Sequence, residues 1–159
     1  MKQLEKIVEE TSHALEILAE KTESLLTQYW DEHIALNKPL PLTEKSVLGC
    51  RTRRVSGGLY IQWYWNTWRK VESDGKKKSK PYSNHISIGR KGGHSYSDAT
   101  LLKHAKDWEK ERVLHYEEQF ALIRKAAHLI VHTRKYARDA IKAIEALEEK
   151  STAVGSETP

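Results

Sequence analysis

The chain has 159 residues, 38% of them hydrophobic and 31% charged, with a formal net charge of +5. That length suits one domain, and the polar balance suits long surface helices. No apolar run is long enough to cross a bilayer, and the start MKQLEKIVEE lacks the apolar core of a signal peptide. A single cysteine, Cys50, excludes an internal disulfide and a cysteine-based zinc site. These features lead us to expect a cytoplasmic protein with no membrane partner.

Charge is segregated along the chain. Residues 1–50 hold 5 Lys/Arg and 9 Asp/Glu, residues 51–97 hold 11 and 2, and residues 98–159 hold 11 of each. A basic block set between acidic and neutral segments is the footprint of a polyanionic partner. A surface made only for solubility intersperses the two signs.

The first element is a helix over residues 2–36. Leu4, Val8, Thr11, Leu15, Leu18, Thr22, Leu25 and Tyr29 alternate spacings of four and three, a heptad seam. Pro39 and Pro41 stop it, because proline cannot donate to the helix and disfavours it one residue earlier. A strand is expected over Val47–Val55, ending at the turn residues Ser56-Gly57-Gly58.

Leu59–Val71 is dense in aromatic and β-branched residues, the composition of a second strand. Asp74-Gly75 then reads as a type I′ turn, which needs positive φ at both central residues. With that turn as the loop, Trp63 pairs with Ile86 and Ile61 with Ile88. One face carries Leu59, Ile61, Trp63 and Trp65 opposite Asn84, Ile86 and Ile88. The other carries Tyr60, Gln62, Tyr64, Asn66, Trp68 and Lys70 opposite Ser83, His85 and Ser87. Pro81 starts the third strand near Tyr82 or marks it as an edge, and Lys76–Lys80 becomes a basic hairpin tip. The ribbon as a whole spans residues 46–91.

Ser97 is a suitable N-cap for a last helix over residues 98–148. Val113, Tyr116, Phe120, Ile123, Ala127, Ile130, Arg134, Ala137, Ile141 and Ile144 form its seam. About 50 helical residues would span roughly 75 Å, which calls for a bend or a partner chain. Residues 151–159 read as a disordered tail. The expected fold is α+β and mainly α, a single domain over residues 1–150. Two long amphipathic helices form a helical hairpin or coiled coil, with a β-hairpin or three-stranded antiparallel sheet inserted. A two-helix hairpin leaves apolar surface uncovered, so a homodimer is expected to close a four-helix bundle.

The chemistry concentrates in Tyr60–Lys70, where five of eleven residues are aromatic and Arg69-Lys70 ends the run. Lys and Arg neutralise phosphates and release counterions. Exposed rings stack on unpaired bases, each for roughly 1–3 kcal/mol. Gln62 and Asn66 suit adenine edges in a major groove. Trp63 and Trp65 lie on the apolar face and are expected in the core, leaving Tyr60, Tyr64 and Trp68 for a ligand. Arg51, Arg53 and Arg54 add to the sheet, Lys76, Lys77, Lys78 and Lys80 to its tip, and His85, Arg90 and Lys91 to the end of the third strand. Gly89, Gly92 and Gly93 would let backbone amides approach a phosphate, but the pattern is not a P-loop. Double-stranded DNA is the partner this set suits best.

No catalytic constellation stands out. Tyr96 could be a DNA-cleaving tyrosine, but His85-Ile86-Ser87 is not the accompanying His-hydrophobe-His pair. Arg51 and Arg53 would lower the Cys50 pKa, yet no Cys–His signature surrounds it. His128 and His132 are one turn apart without an evident third metal ligand. No enzymatic activity, cofactor or metal is therefore expected. Two rival classes remain: a helical scaffold binding an acidic protein, and an RNA or single-strand binder using Tyr60, Tyr64 and Trp68.

The order Trp63–Lys70, then Tyr82-Ser83-Asn84-His85-Ile86-Ser87-Ile88-Gly89-Arg90, then Trp108-Glu109 and the seam with Ile123-Arg124 resembles the MobI-type conjugative-transfer proteins. These are auxiliary mobilization factors of integrative conjugative elements and large plasmids, and the resemblance runs over about residues 59–147. It implies a role at the origin of transfer, helping the machinery recognise its DNA start site and aiding relaxosome assembly. The relaxase that cuts would be a separate protein and a partner. The resemblance brings no catalytic motif.

Overall fold

The computed structural model describes residues 1–89 and 93–155. Helix α1 spans Lys2–Asn37, followed by strands β1 (Leu48–Val55), β2 (Gly58–Ser73) and β3 (Lys76–His85). A short helix α2 (Asp98–Leu102) and a 3-10 turn (Asp107–Glu109) lead into helix α3 (Lys110–Gly155). The strands form one antiparallel sheet in the order β1-β2-β3. The protein is thus α+β, with a sheet carried on helices.

Helices α1 and α3 pack antiparallel through the two expected seams. Tyr29 meets Tyr116 edge-on at 5.2 Å, while Leu15, fourteen residues earlier, shares a cluster with Ala127. The sheet lies across this pair by its apolar face: Cys50, Ile61, Trp63 and Ile86 are buried with Tyr29 and Phe120. Burying a face of this kind offsets the cost of ordering the two helices and the sheet. The Trp30 indole N–H donates to the Cys50 carbonyl at 3.0 Å and fixes β1 on α1.

The hairpin follows the turn chemistry. Asp74 and Gly75 have φ of +54° and +68°, and Ser73 pairs with Lys76, which puts Tyr64 opposite His85. One step further, the Ile86 N–H donates to the Trp63 carbonyl at 3.1 Å, the expected partnership. The expected pairing of Ile61 with Ile88 does not form, because the β2–β3 ladder ends at His85. A second two-residue turn, Ser56-Gly57, joins β1 to β2 with φ of +51° and +72°.

Three expectations are corrected. Lys76–Lys80 are not a loop-like tip: they are the first half of β3, paired with Ser73–Arg69, and only Asp74-Gly75 turns. Pro81 sits inside β3 opposite Trp68, which bears out the edge-strand alternative: an edge strand needs no donor on its open side. The helix expected over residues 98–148 is broken between Leu102 and Asp107. Lys106 is extended, its N–H donating to Glu109 Oε1 at 2.9 Å, and its ammonium reaches the Thr43 carbonyl at 3.0 Å. The Trp108 indole donates to the Glu44 carbonyl at 2.9 Å. Contacts to the α1–β1 loop thus override a local preference for helix. At the other end α3 continues to Gly155, so residues 151–155 are helical rather than a disordered tail; 156–159 lie outside the described residues.

The Ser97 cap forms as expected, with the Thr100 N–H donating to Ser97 Oγ at 3.3 Å. Near the start of α3, the Arg112 guanidinium donates to His33 Nδ1 at 2.9 Å. Burial, and then the Arg112 charge, push the His33 pKa down to about 4.

Candidate nucleic-acid interface

Only the proximal half of the sheet lies on the helices. Trp65 stacks on His104 at 4.9 Å near the α2 end of the body. From Trp68 to Pro81 the paired strands are exposed at nearly every position. This segment carries Arg69, Lys70, Lys76, Lys77, Lys78 and Lys80 against Glu72 and Asp74. A two-stranded projection of this width can enter a major groove.

Strand alternation divides the candidate residues between two faces. The register puts Arg51, Arg53, Tyr60, Gln62, Tyr64, Asn66, Trp68, Lys70, Lys77 and His85 on the open face. Arg54, Arg69, Lys76, Lys78 and Lys80 point to the side that the helices cover further down. The expected set is therefore brought to one ribbon but not to one surface.

On the open face, Trp68 is 64% exposed and Tyr60 half exposed. Asn66 Oδ1 accepts from Ser83 Oγ at 2.9 Å, which fixes the amide. Tyr64 is less available than expected. Its ring lies over Gly49, where a Cβ would come within 2.6 Å, and under the Arg51 guanidinium at 5.1 Å. Burial raises its pKa. Trp63 is fully buried, as its apolar-face position requires.

On the other face, Arg54 is held by Glu16 of α1 in an exposed ion pair that ties the sheet to α1. Arg69 stacks over the Tyr82 ring at 4.1 Å. Tyr82 is half exposed and stands outside the expected set. The signal for it was its alternation with Lys80 and Lys78 on the same strand. Arg90 and Lys91, with Gly92, lie outside the described residues.

The residues weighed for catalysis sit in the body. Cys50 is buried, and that burial raises its thiol pKa, the opposite of the lowering expected from Arg51 and Arg53. Tyr96 is buried under Arg124, whose guanidinium is 4.8 Å from its ring, and burial raises its pKa. His128 and His132 have ring centroids 4.1 Å apart, tilted by 44°, and His94 lies 4.9 Å from His128. With His85 and Tyr60 they line a cavity of about 370 Å³ beside β2. Among the described residues no three His, Cys, Asp or Glu are set to hold a metal.

A buried ion pair ties ribbon to body. Glu117 and Arg124, two turns apart on α3, meet at 2.9 and 2.6 Å. Glu117 also accepts from the Trp63 indole at 2.7 Å and from the Tyr96 N–H at 2.8 Å. Arg124 donates to the carbonyls of Ile61, at 3.1 Å, and His94. Every bond that the pair makes outside α3 goes to β2 or to the segment after β3, so the pair fixes the angle at which the ribbon leaves the helices.

Fold and site together define a helical-hairpin protein that projects a basic, aromatic β-ribbon. The chain belongs to the MobI protein family, whose model matches residues 18–138. That match takes in the second half of α1 as well as the ribbon and most of α3, more than the motif order alone suggested. No curated protein and no solved structure matches it. Among the described residues no helix is long and apolar enough to cross a membrane.

Proposed function

We propose that this protein is a non-enzymatic accessory factor of conjugative mobilization that binds double-stranded DNA at the origin of transfer and aids relaxosome assembly. Membership of the MobI family supports the mobilization role. The observation that carries the DNA reading is the projecting half of β2–β3, with six cations against two acids and Trp68 uncovered beside them. Cations on both faces suit a ribbon lying between two phosphate backbones, since a groove has a wall on either side. Asn66 on the open face then approaches base edges, whereas Gln62 is half-buried with its Oε1 covered and stays with the body. A relaxase or other transfer protein is the expected protein partner, and the cytoplasm the place of action.

The test is binding of labelled duplex by the full chain and by the K76A/K77A/K78A variant. The variant should bind all sequences more weakly, with a salt dependence shallower by up to about three counterion units. An unchanged salt dependence would remove the ribbon from the interface. Exposure of Trp68, Tyr60 and Tyr82 favours a second reading, single-stranded DNA or RNA held by stacking. Tighter binding to single strands than to duplex, with Trp quenching lost in Trp68→Ala, would establish that reading instead.

A further inference from the structure

Helix α3 carries a second heptad stripe that neither α1 nor the sheet uses. Leu122, Ala126, Leu129, Thr133, Tyr136 and Ala140 alternate spacings of four and three. Each stands one position before a residue of the seam that faces α1, such as Ile123, Ala127 and Ile130. One residue turns about 100° around a helix. The second stripe therefore faces roughly a right angle away from α1, the offset between neighbouring helices of a four-helix bundle. It is open: Leu122, Leu129 and Tyr136 are 69%, 57% and 66% exposed.

We infer that this stripe is the interface with a second copy of the same chain, α3 packing antiparallel on α3. Two features of the sequence select that occupant. The first is size. In an antiparallel pairing about a two-fold axis between Leu129 and Thr133, Leu122 meets Ala140 of the second copy, Ala126 meets Tyr136, and Leu129 meets Thr133. Every layer joins one large and one small side chain, which is what interdigitated packing requires. The second is charge. The same register sets Lys125 against Asp139 of the second copy on the polar flank, twice per dimer, with His132 facing His132 between them. Lys125 and Asp139 are exposed, and neither has an ion-pair partner among the described residues. Fourteen residues, or about 21 Å of helix, separate them within one chain, so they cannot satisfy each other there. A dimer built this way presents two ribbons at a fixed spacing, the arrangement that reads paired half-sites.

The experiment is sedimentation equilibrium of the full chain across a concentration series, with circular dichroism to confirm helix content. The wild type should sediment at twice 18.4 kDa. Lys125→Asp alone and Asp139→Lys alone should each weaken dimerisation about tenfold, since two attractive pairs become two repulsive ones. Together they should restore it to within about threefold of wild type. Leu129→Glu should give a folded monomer. A wild type that stays monomeric overturns the inference, and so does a dimer whose paired charge swap is no tighter than the single variants.

Discussion

The Trp63 indole donates to the Glu117 carboxylate at 2.7 Å, joining the ribbon's buried ring to the N-terminal part of α3. Arg124 neutralises that carboxylate from two turns further along the same helix. A buried charge is tolerated only when it is paired and its remaining hydrogen-bonding capacity is used, and here Arg124 uses its own on backbone carbonyls of Ile61 and His94.

Removing one partner should therefore cost more than removing a surface pair. Glu117→Gln leaves the Arg124 charge buried and is expected to lower stability by about 3–5 kcal/mol in urea unfolding. Arg124→Met should cost a similar amount, and the double variant less than the sum of the two. Additive losses would mean that the two side chains act separately.

His33 should titrate near pH 4 by NMR, because its Nδ1 accepts from Arg112 and its ring is buried. The folded value lies below the 6.5 of an exposed histidine. The contribution of neutral His33 is thus fully present above about pH 6.5 and is lost as pH falls towards 4, by about 3 kcal/mol in all. Burial raises the Glu109 pKa and works in the opposite sense, so the check is the difference between wild type and a His33→Gln variant. A His33 midpoint near 6.5 would contradict the burial argument.

Gly49→Ala should expel the Tyr64 ring, since the added Cβ would sit 2.6 Å from it. The expected loss is about 1–3 kcal/mol of stability. Adding Tyr64→Ala should recover part of it, because the clash is with that ring. A Gly49→Ala protein as stable as wild type would mean that the ring has another resting place.

Base reading and phosphate binding should separate by residue. Asn66→Ala should reduce the preference for the cognate duplex by about 1–3 kcal/mol while leaving the salt dependence intact, and Gln62→Ala should leave that preference unchanged because its Oε1 is covered. Equal losses on every duplex in Asn66→Ala would assign that amide to backbone contacts.

Much of this fold is legible in the sequence because local signals agree. Asp74-Gly75 sets the hairpin register, and the alternation from Leu59 to Trp65 then names the core face correctly, with Trp63 at its centre. The seams of α1 and α3 are likewise local patterns. What was hidden depends on distant contacts. No Gly or Pro marks the break after Leu102, which is held by Thr43 and Glu44. Arg54 looks like its neighbours in a basic run until α1 brings Glu16 to it. Glu117 and Arg124 read as polar residues beside a seam, and only the packed sheet turns them into a buried pair.

The central claim is that the ribbon binds DNA at an origin of transfer. Fluorescence anisotropy of a labelled origin duplex and of a scrambled duplex, each across a range of salt, tests it most directly. The expected result is a steep fall of affinity with salt on both, and tighter binding to the origin at every salt concentration. No binding at low salt would contradict the claim and favour an acidic protein as the ribbon's partner.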